Sequence, residues 1–222
     1  MLLAGDCNGM TAWHAAAERG NLEILQEIWN LAKEKLSANE VKNNLSLATD
    51  CNGMTAWHAA AERGNLEILQ EIWNLAKEKL TADELKNKLL LTTDIRGRTV
   101  LHEAANIGRI GVLHKLREWA TERLITEEIN KNLLFAGDNI GVTAWYLAAY
   151  RWISDYLTKL WEWAKEKLTT EEIINELFLA TDAEATNTHR QITVNELHKL
   201  AKEGKIKQIS SVVTQMATVK LR

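Results

Sequence analysis

The sequence predicts an all-α fold: one elongated solenoid of about four and a half stacked units. Three observations predict it. The stretch GMTAWHAAAERGNLEILQEIW occurs twice, from Gly9 to Trp29 and again from Gly53 to Trp73. An aspartate recurs every 44 residues, at Asp6, Asp50, Asp94, Asp138 and Asp182. Proline is absent from all 222 residues, and apolar residues return at helical spacing with no strand punctuation. The units run over 6–49, 50–93, 94–137, 138–181 and 182–222, the last divergent and cap-like.

Each unit opens with a turn. The first four read DCNGMT, DCNGMT, DIRGRT and DNIGVT, whereas the fifth, DAEATNTHRQIT, departs from the pattern. The glycines Gly9, Gly53, Gly97 and Gly141 provide the positive φ of a tight turn. The threonines Thr11, Thr55, Thr99 and Thr143 are placed to N-cap the helix that follows. Helix A then spans Ala12 to Arg19 in the first unit. Its side chains are small enough for close backbone approach, and Gly20 ends it.

Helix B runs from about Asn21 to Leu36. Leu22, Leu25, Trp29, Ala32 and Leu36 form one apolar stripe, with Ile24, Ile28 and Leu31 beside it. Two stripes predict a helix covered on two sides. Ser37 with Glu40, Thr81 with Glu84, and Thr169 with Glu172 then form capping boxes. They open a short helix C carrying Val41, Leu45 and Leu47, or Leu85, Leu89 and Leu91. The third unit has Ile125 at the cap position, which shifts the expected cap to Thr126. A unit with apolar residues on both broad faces is stable only when stacked.

Composition narrows function. The chain holds 46% hydrophobic and 26% charged residues and carries a net charge of −3. That balance argues against nucleic acid or an anionic membrane as main partner. Neighbouring packed helices lie about 8–10 Å apart, whereas a disulfide needs Cα atoms within about 7 Å. Cys7 and Cys51, equivalent positions in two units, are therefore expected unbridged. With no secretory leader or membrane span in the sequence, the expectation is an intracellular, cytoplasmic protein. No nucleophile constellation or phosphate-binding loop appears, so no catalytic residue, cofactor or metal is assigned.

The pattern Asp-x-x-Gly-x-Thr-Ala-Trp-His-x-Ala-Ala-x-x-Gly resembles the ankyrin repeat, over roughly Asp6 to Tyr150 in four copies. A weaker NELHKLAKEGKIKQI extends from Asn195 to Ile209. The departures are Ala or Val in place of the family's proline (Ala12, Ala56, Val100, Ala144), Trp in place of its leucine (Trp13, Trp57, Trp145), and the longer period. The surplus lies in an extended helix B and the added helix C. The resemblance implies that His14, His58, His102 and His198 tie neighbouring turns by hydrogen bonds, with Tyr146 replacing the histidine in unit four. It also implies a non-enzymatic scaffold that binds protein partners through its concave face and turn tips. The alternative is a spacer in a larger protein.

Positions that change between units while the packing positions hold are the candidate contacts: Arg96, Arg98, Asn106, Ile107, Asn139, Ile140, Val142, Tyr150, Arg151 and Trp152. Trp152 stands where Gly20, Gly64 and Gly108 stand, which predicts an irregular corner in unit four with Tyr150, Trp152 and Tyr156 together. Trp13, Trp29, Trp57, Trp73, Trp145 and Trp161 are expected in the core. The opening MLLAGD matches LLFAGD before Asp138. The chain is thus expected to begin inside a helix C, either as a piece of a longer array or self-associating through an uncapped N-terminal face that exposes Trp or Ile.

Overall fold

A computed structural model describes residues 3–151, 153–173 and 176. Its helices A are α1 (Ala12–Arg19), α4 (Ala56–Arg63), α7 (Val100–Ile107) and α10 (Ala144–Tyr150), opening 44 residues apart. Helices B are α2 (Leu22–Lys35), α5 (Leu66–Lys79), α8 (Ile110–Arg123) and α11 (Ser154–Lys165). Each helix A lies beside helix A of the next unit, and helix B beside its own helix A. The result is an all-α, elongated stack. The fifth unit, with the expected cap, His198 and the Asn195–Ile209 match, lies outside the described residues.

The third element is only part α-helix. A single α-turn, α3 (Ala38–Glu40), α6 (Ala82–Leu85) or α9 (Thr126–Ile129), runs into a π-helix, π1 (Val41–Ser46), π2 (Lys86–Leu90) or π3 (Asn130–Leu134). Wide-turn bonds close it, such as Leu91 N–H to Lys86 C=O at 3.0 Å. The wider turn shifts the buried register. Leu85, Leu89 and Leu90 are buried, while Leu91, expected inward at α spacing, is only partly covered. These π segments pack against helix B of the following unit and thicken the outer layer.

The capping boxes form at Ser37/Glu40, Thr81/Glu84 and Thr169/Glu172. In the third unit the cap does not shift. Thr126 is already helical, and Ile125 holds the cap position with only the Ile125 N–H to Glu128 carboxylate half of the box, at 3.2 Å. Its side chain has no acceptor to return and is 64% exposed. Replacing Ile125 by Thr should raise stability by about 1 kcal/mol in urea denaturation, because the hydroxyl supplies the missing acceptor.

Burial follows position in the stack. Units one and two carry the same residues from the turn through helix B, yet Ile24 and Leu31 are 45% and 43% exposed while Ile68 and Leu75 are 1% and 8%. The expected bare N-terminal face therefore shows Ile24 and Leu31 but not tryptophan: Trp13 and Trp29 are buried against each other, ring centroids 5.8 Å apart. Trp57, Trp73, Trp145 and Trp161 are also buried. The tightest aromatic cluster crosses the boundary between units two and three. Trp119 of α8 lies 5.1 Å from Trp57 and 4.9 Å from Trp73.

Candidate protein-binding surface

The turns before each helix A are built around the recurring aspartate. One carboxylate oxygen accepts two backbone N–H groups: Arg96 and Arg98 on Asp94 at 2.8 and 2.9 Å, and Ile140 and Val142 on Asp138 at 3.1 and 2.9 Å. Asp6 and Asp50 do the same in their units. Successive turns join laterally through Cys51 N–H to Asn8 C=O, Ile95 N–H to Asn52 C=O and Asn139 N–H to Arg96 C=O, at 2.8–2.9 Å. The contact leaves no room for a side chain beneath it. Gly53 sits at φ +71°, and a Cβ there would stand 2.9 Å from Ile95 N. Gly53→Ala is expected to lower stability by about 2 kcal/mol or more in urea denaturation, through backbone strain plus the clash. Cys7 and Cys51 are free thiols in these exposed turns.

The histidines lock turn to turn. Thr11 N–H reaches His14 Nδ1 at 3.3 Å, with the Thr11 hydroxyl at 2.8 Å. A backbone N–H only donates, so Nδ1 is the acceptor and Nε2 carries the proton. Nε2–H then donates to carbonyls, Ala48 at 3.0 Å and Met54 of the next turn at 3.1 Å. His102 repeats this with Thr99 and with the Val142 carbonyl at 3.1 Å. His58 has the same Thr55 partner. Its Nε2 lies by the Thr92 and Arg98 carbonyls, at a geometry too poor for a hydrogen bond. Thus Thr11, Thr55 and Thr99 serve the histidine ring as much as the helix amides. In unit four Tyr146 stacks on Tyr150, centroids 6.4 Å apart.

Residues 2–83 match a family model of ankyrin repeats in three copies. That segment carries ankyrin repeats. Four turn–helix–helix units, three of them with a Thr–His pair, agree with that assignment. A search of curated proteins finds no match. Ankyrin repeats are in general protein–protein interaction scaffolds and are typically not enzymes. Among the described residues no helix is long and apolar enough to cross a membrane, and no three His, Cys, Asp or Glu side chains are grouped to hold a metal.

The turns and helices A place most of the candidate contacts at the surface. Ile107, Asn139, Ile140, Tyr150 and Arg151 are exposed, and Asn106 is partly so. Arg96 is 52% exposed and donates through Nε to Asp94 Oδ2 at 2.9 Å. Two candidates are better explained by packing. Arg98 is mostly covered and joins the turns of units three and four through Asp138 at 3.3 Å. Val142 is buried and offers no contact surface. Trp152 lies outside the described residues. Around it α10 ends one residue short of the other helices A, yet the corner bond from Ile153 N–H to Ala148 C=O, 2.9 Å, persists. Tyr150 is exposed while Tyr156 is fully buried, its hydroxyl on the Leu101 carbonyl at 3.4 Å.

Three residues outside that set shape the same surface. Ile95 exposes its side chain at the turn tip. Arg109 crosses back to the Glu62 carbonyl at 3.4 Å, as Asn65 does to Ala17. Glu103 stands in a helix A whose other units carry alanine or leucine at that place. It is buried, with Oε1 unbonded and 3.7 Å from the Arg96 guanidinium. Burial, with Glu62 adding repulsion, pushes its carboxyl above the usual range. Comparing each position across the units is the signal that exposes it: one charge in an otherwise small-residue helix.

Proposed function

We propose that this ankyrin array is a non-enzymatic scaffold that recognises partner proteins through the concave face and turn tips of units three and four. The observation that carries the reading is the contrast between frame and surface. The aspartate turns repeat in four units and the Thr–His pairs in three, while the tips and the ends of helix A change from Cys51, Asn52 and Arg63 to Ile95, Arg96, Ile107, Ile140 and Tyr150. Large exposed apolar side chains clustered on a rigid surface are what interface anchors need. The test is a quantitative pull-down with the full chain and with R96E/R151E, both checked for equal thermal stability. Selective loss of a bound protein supports the scaffold; an unchanged set of captured proteins supports the spacer.

A further inference from the structure

We propose that units three and four bind an acidic peptide segment carrying aliphatic or aromatic side chains; this rests on the scaffold reading above. Three arginines on this surface are tied down by the same nitrogen. Arg96 Nε donates to Asp94 Oδ2 at 2.9 Å, Arg151 Nε to Asn106 Oδ1 at 3.0 Å, and Arg109 Nε to the Glu62 carbonyl at 3.4 Å. In each case the hydrogen bond fixes the side chain but leaves the fork of terminal amino groups unengaged by any hydrogen bond among the described residues. Guanidinium forks held in place lose little entropy on gripping a carboxylate, and their planar geometry matches it.

The acids that face Arg96 and Arg98 are hidden, and Glu62 beside Arg109 is partly covered. The Asp94, Asp138 and Glu103 side chains are 0%, 2% and 4% exposed, so a partner at units three and four meets cations. Units one and two differ: Arg63 is matched by the accessible Glu18, and Asp6 is exposed. Beside the arginines stand Ile107, Ile140 and Tyr150, with Arg151 over the Tyr150 ring at 5.9 Å. Together they ask for carboxylates interleaved with apolar groups. Glu103 is the internal competitor: a partner carboxylate on Arg96 replaces a contact of 3.7 Å that is too long for a hydrogen bond.

The experiment pans a randomised peptide display library against the full chain and measures the enriched peptides by fluorescence anisotropy. The expected peptides are rich in Asp/Glu and in Leu, Ile, Phe or Tyr. Raising salt should weaken their binding, and R151A and R96A should each weaken it about tenfold with the fold intact by circular dichroism. Glu103→Gln should leave binding equal or tighter. Enrichment of Lys/Arg peptides whose binding E103Q abolishes would overturn the proposal, as would acidic peptides indifferent to R96A and R151A. If no peptide is enriched while R96E/R151E still loses a captured protein, the peptide chemistry is wrong and the scaffold reading stands. If neither occurs, both fall.

Discussion

Trp119→Ala is expected to destabilise the array by about 3–5 kcal/mol, the cost of deleting a fully buried tryptophan. The loss should exceed that of an ordinary core truncation because Trp119 belongs to two units at once. It sits in helix B of unit three, but the rings it touches, Trp57 and Trp73, belong to unit two. In a solenoid each unit contributes an intrinsic term and a neighbour term, and for a unit with apolar faces the neighbour term makes it stable. Removing this ring strikes the neighbour term. Units one and two hold Leu31 and Leu75 at the equivalent position, while unit four holds Trp163; a leucine is thus accommodated there, and Trp119→Leu should cost only about half as much. Urea denaturation followed by circular dichroism decides it, and a Trp119→Ala value within 1 kcal/mol of the parent would refute the shared-boundary account.

The second large effect is a loss of stability on mild acidification. Burial lowers the His14, His58 and His102 pKa values, and that of His58 falls from 6.5 to about 4. The nearby carboxylates, Asp50 for His14, Asp94 and Asp50 for His58 and Asp138 for His102, oppose the shift but do not cancel it. Arg98 adds to the depression at His102. Protonation also puts a proton on Nδ1, where the threonine N–H must donate. The folded state therefore prefers neutral rings. The unfolded chain binds more protons below pH 6.5, so stability is complete above that value and declines as pH falls toward 4. For His58 alone the loss by pH 4 is on the order of 3 kcal/mol. Glu103 works in the opposite direction, because burial makes its protonated form the better one. The capping-box carboxylates add a separate decline below pH 4.5, since hydrogen bonds from Ser37 hold Glu40 low and the Lys42 ammonium first, with the Thr81 N–H, holds Glu84 at about 2. Urea midpoints at several pH values test this, and His58→Leu should flatten the slope between pH 6.5 and 4. An unchanged slope would show that the histidines do not carry the effect.

Much of the fold was legible because it depends on chemistry that is local and repeated. Helix A could be bounded to the residue from Thr11 and Gly20, since a cap and a left-handed glycine are signals written in one side chain each. The paired stripes of helix B announced a helix covered on two sides, and Ile68 and Leu75 are so covered. What escaped was non-local. The π turns after Val41, Lys86 and Asn130 arise where the chain must fit against the next helix B, and i+4 and i+5 spacings differ by a single residue. Ile125 stays at the cap because the Glu128 half of the box, together with the position of the incoming helix, fixes the register without a hydroxyl. On the surface, variation between units pointed toward Arg96, Ile140 and Tyr150. It could not separate these from Val142 and Arg98, whose burial depends on the turn of the neighbouring unit.

The lateral bonds between turns have one more consequence. The same bond recurs at every 44-residue step, from Cys51 to Asn8, Ile95 to Asn52 and Asn139 to Arg96. Copying or excising a whole 44-residue block therefore adds or removes one rung and breaks none, whereas gaining or losing a few residues inside a turn severs the rung on either side. A gene for such a chain can lengthen by duplication without inventing a new interface. Residues 6–36 and 50–80 are identical letter for letter, as two copied blocks would be.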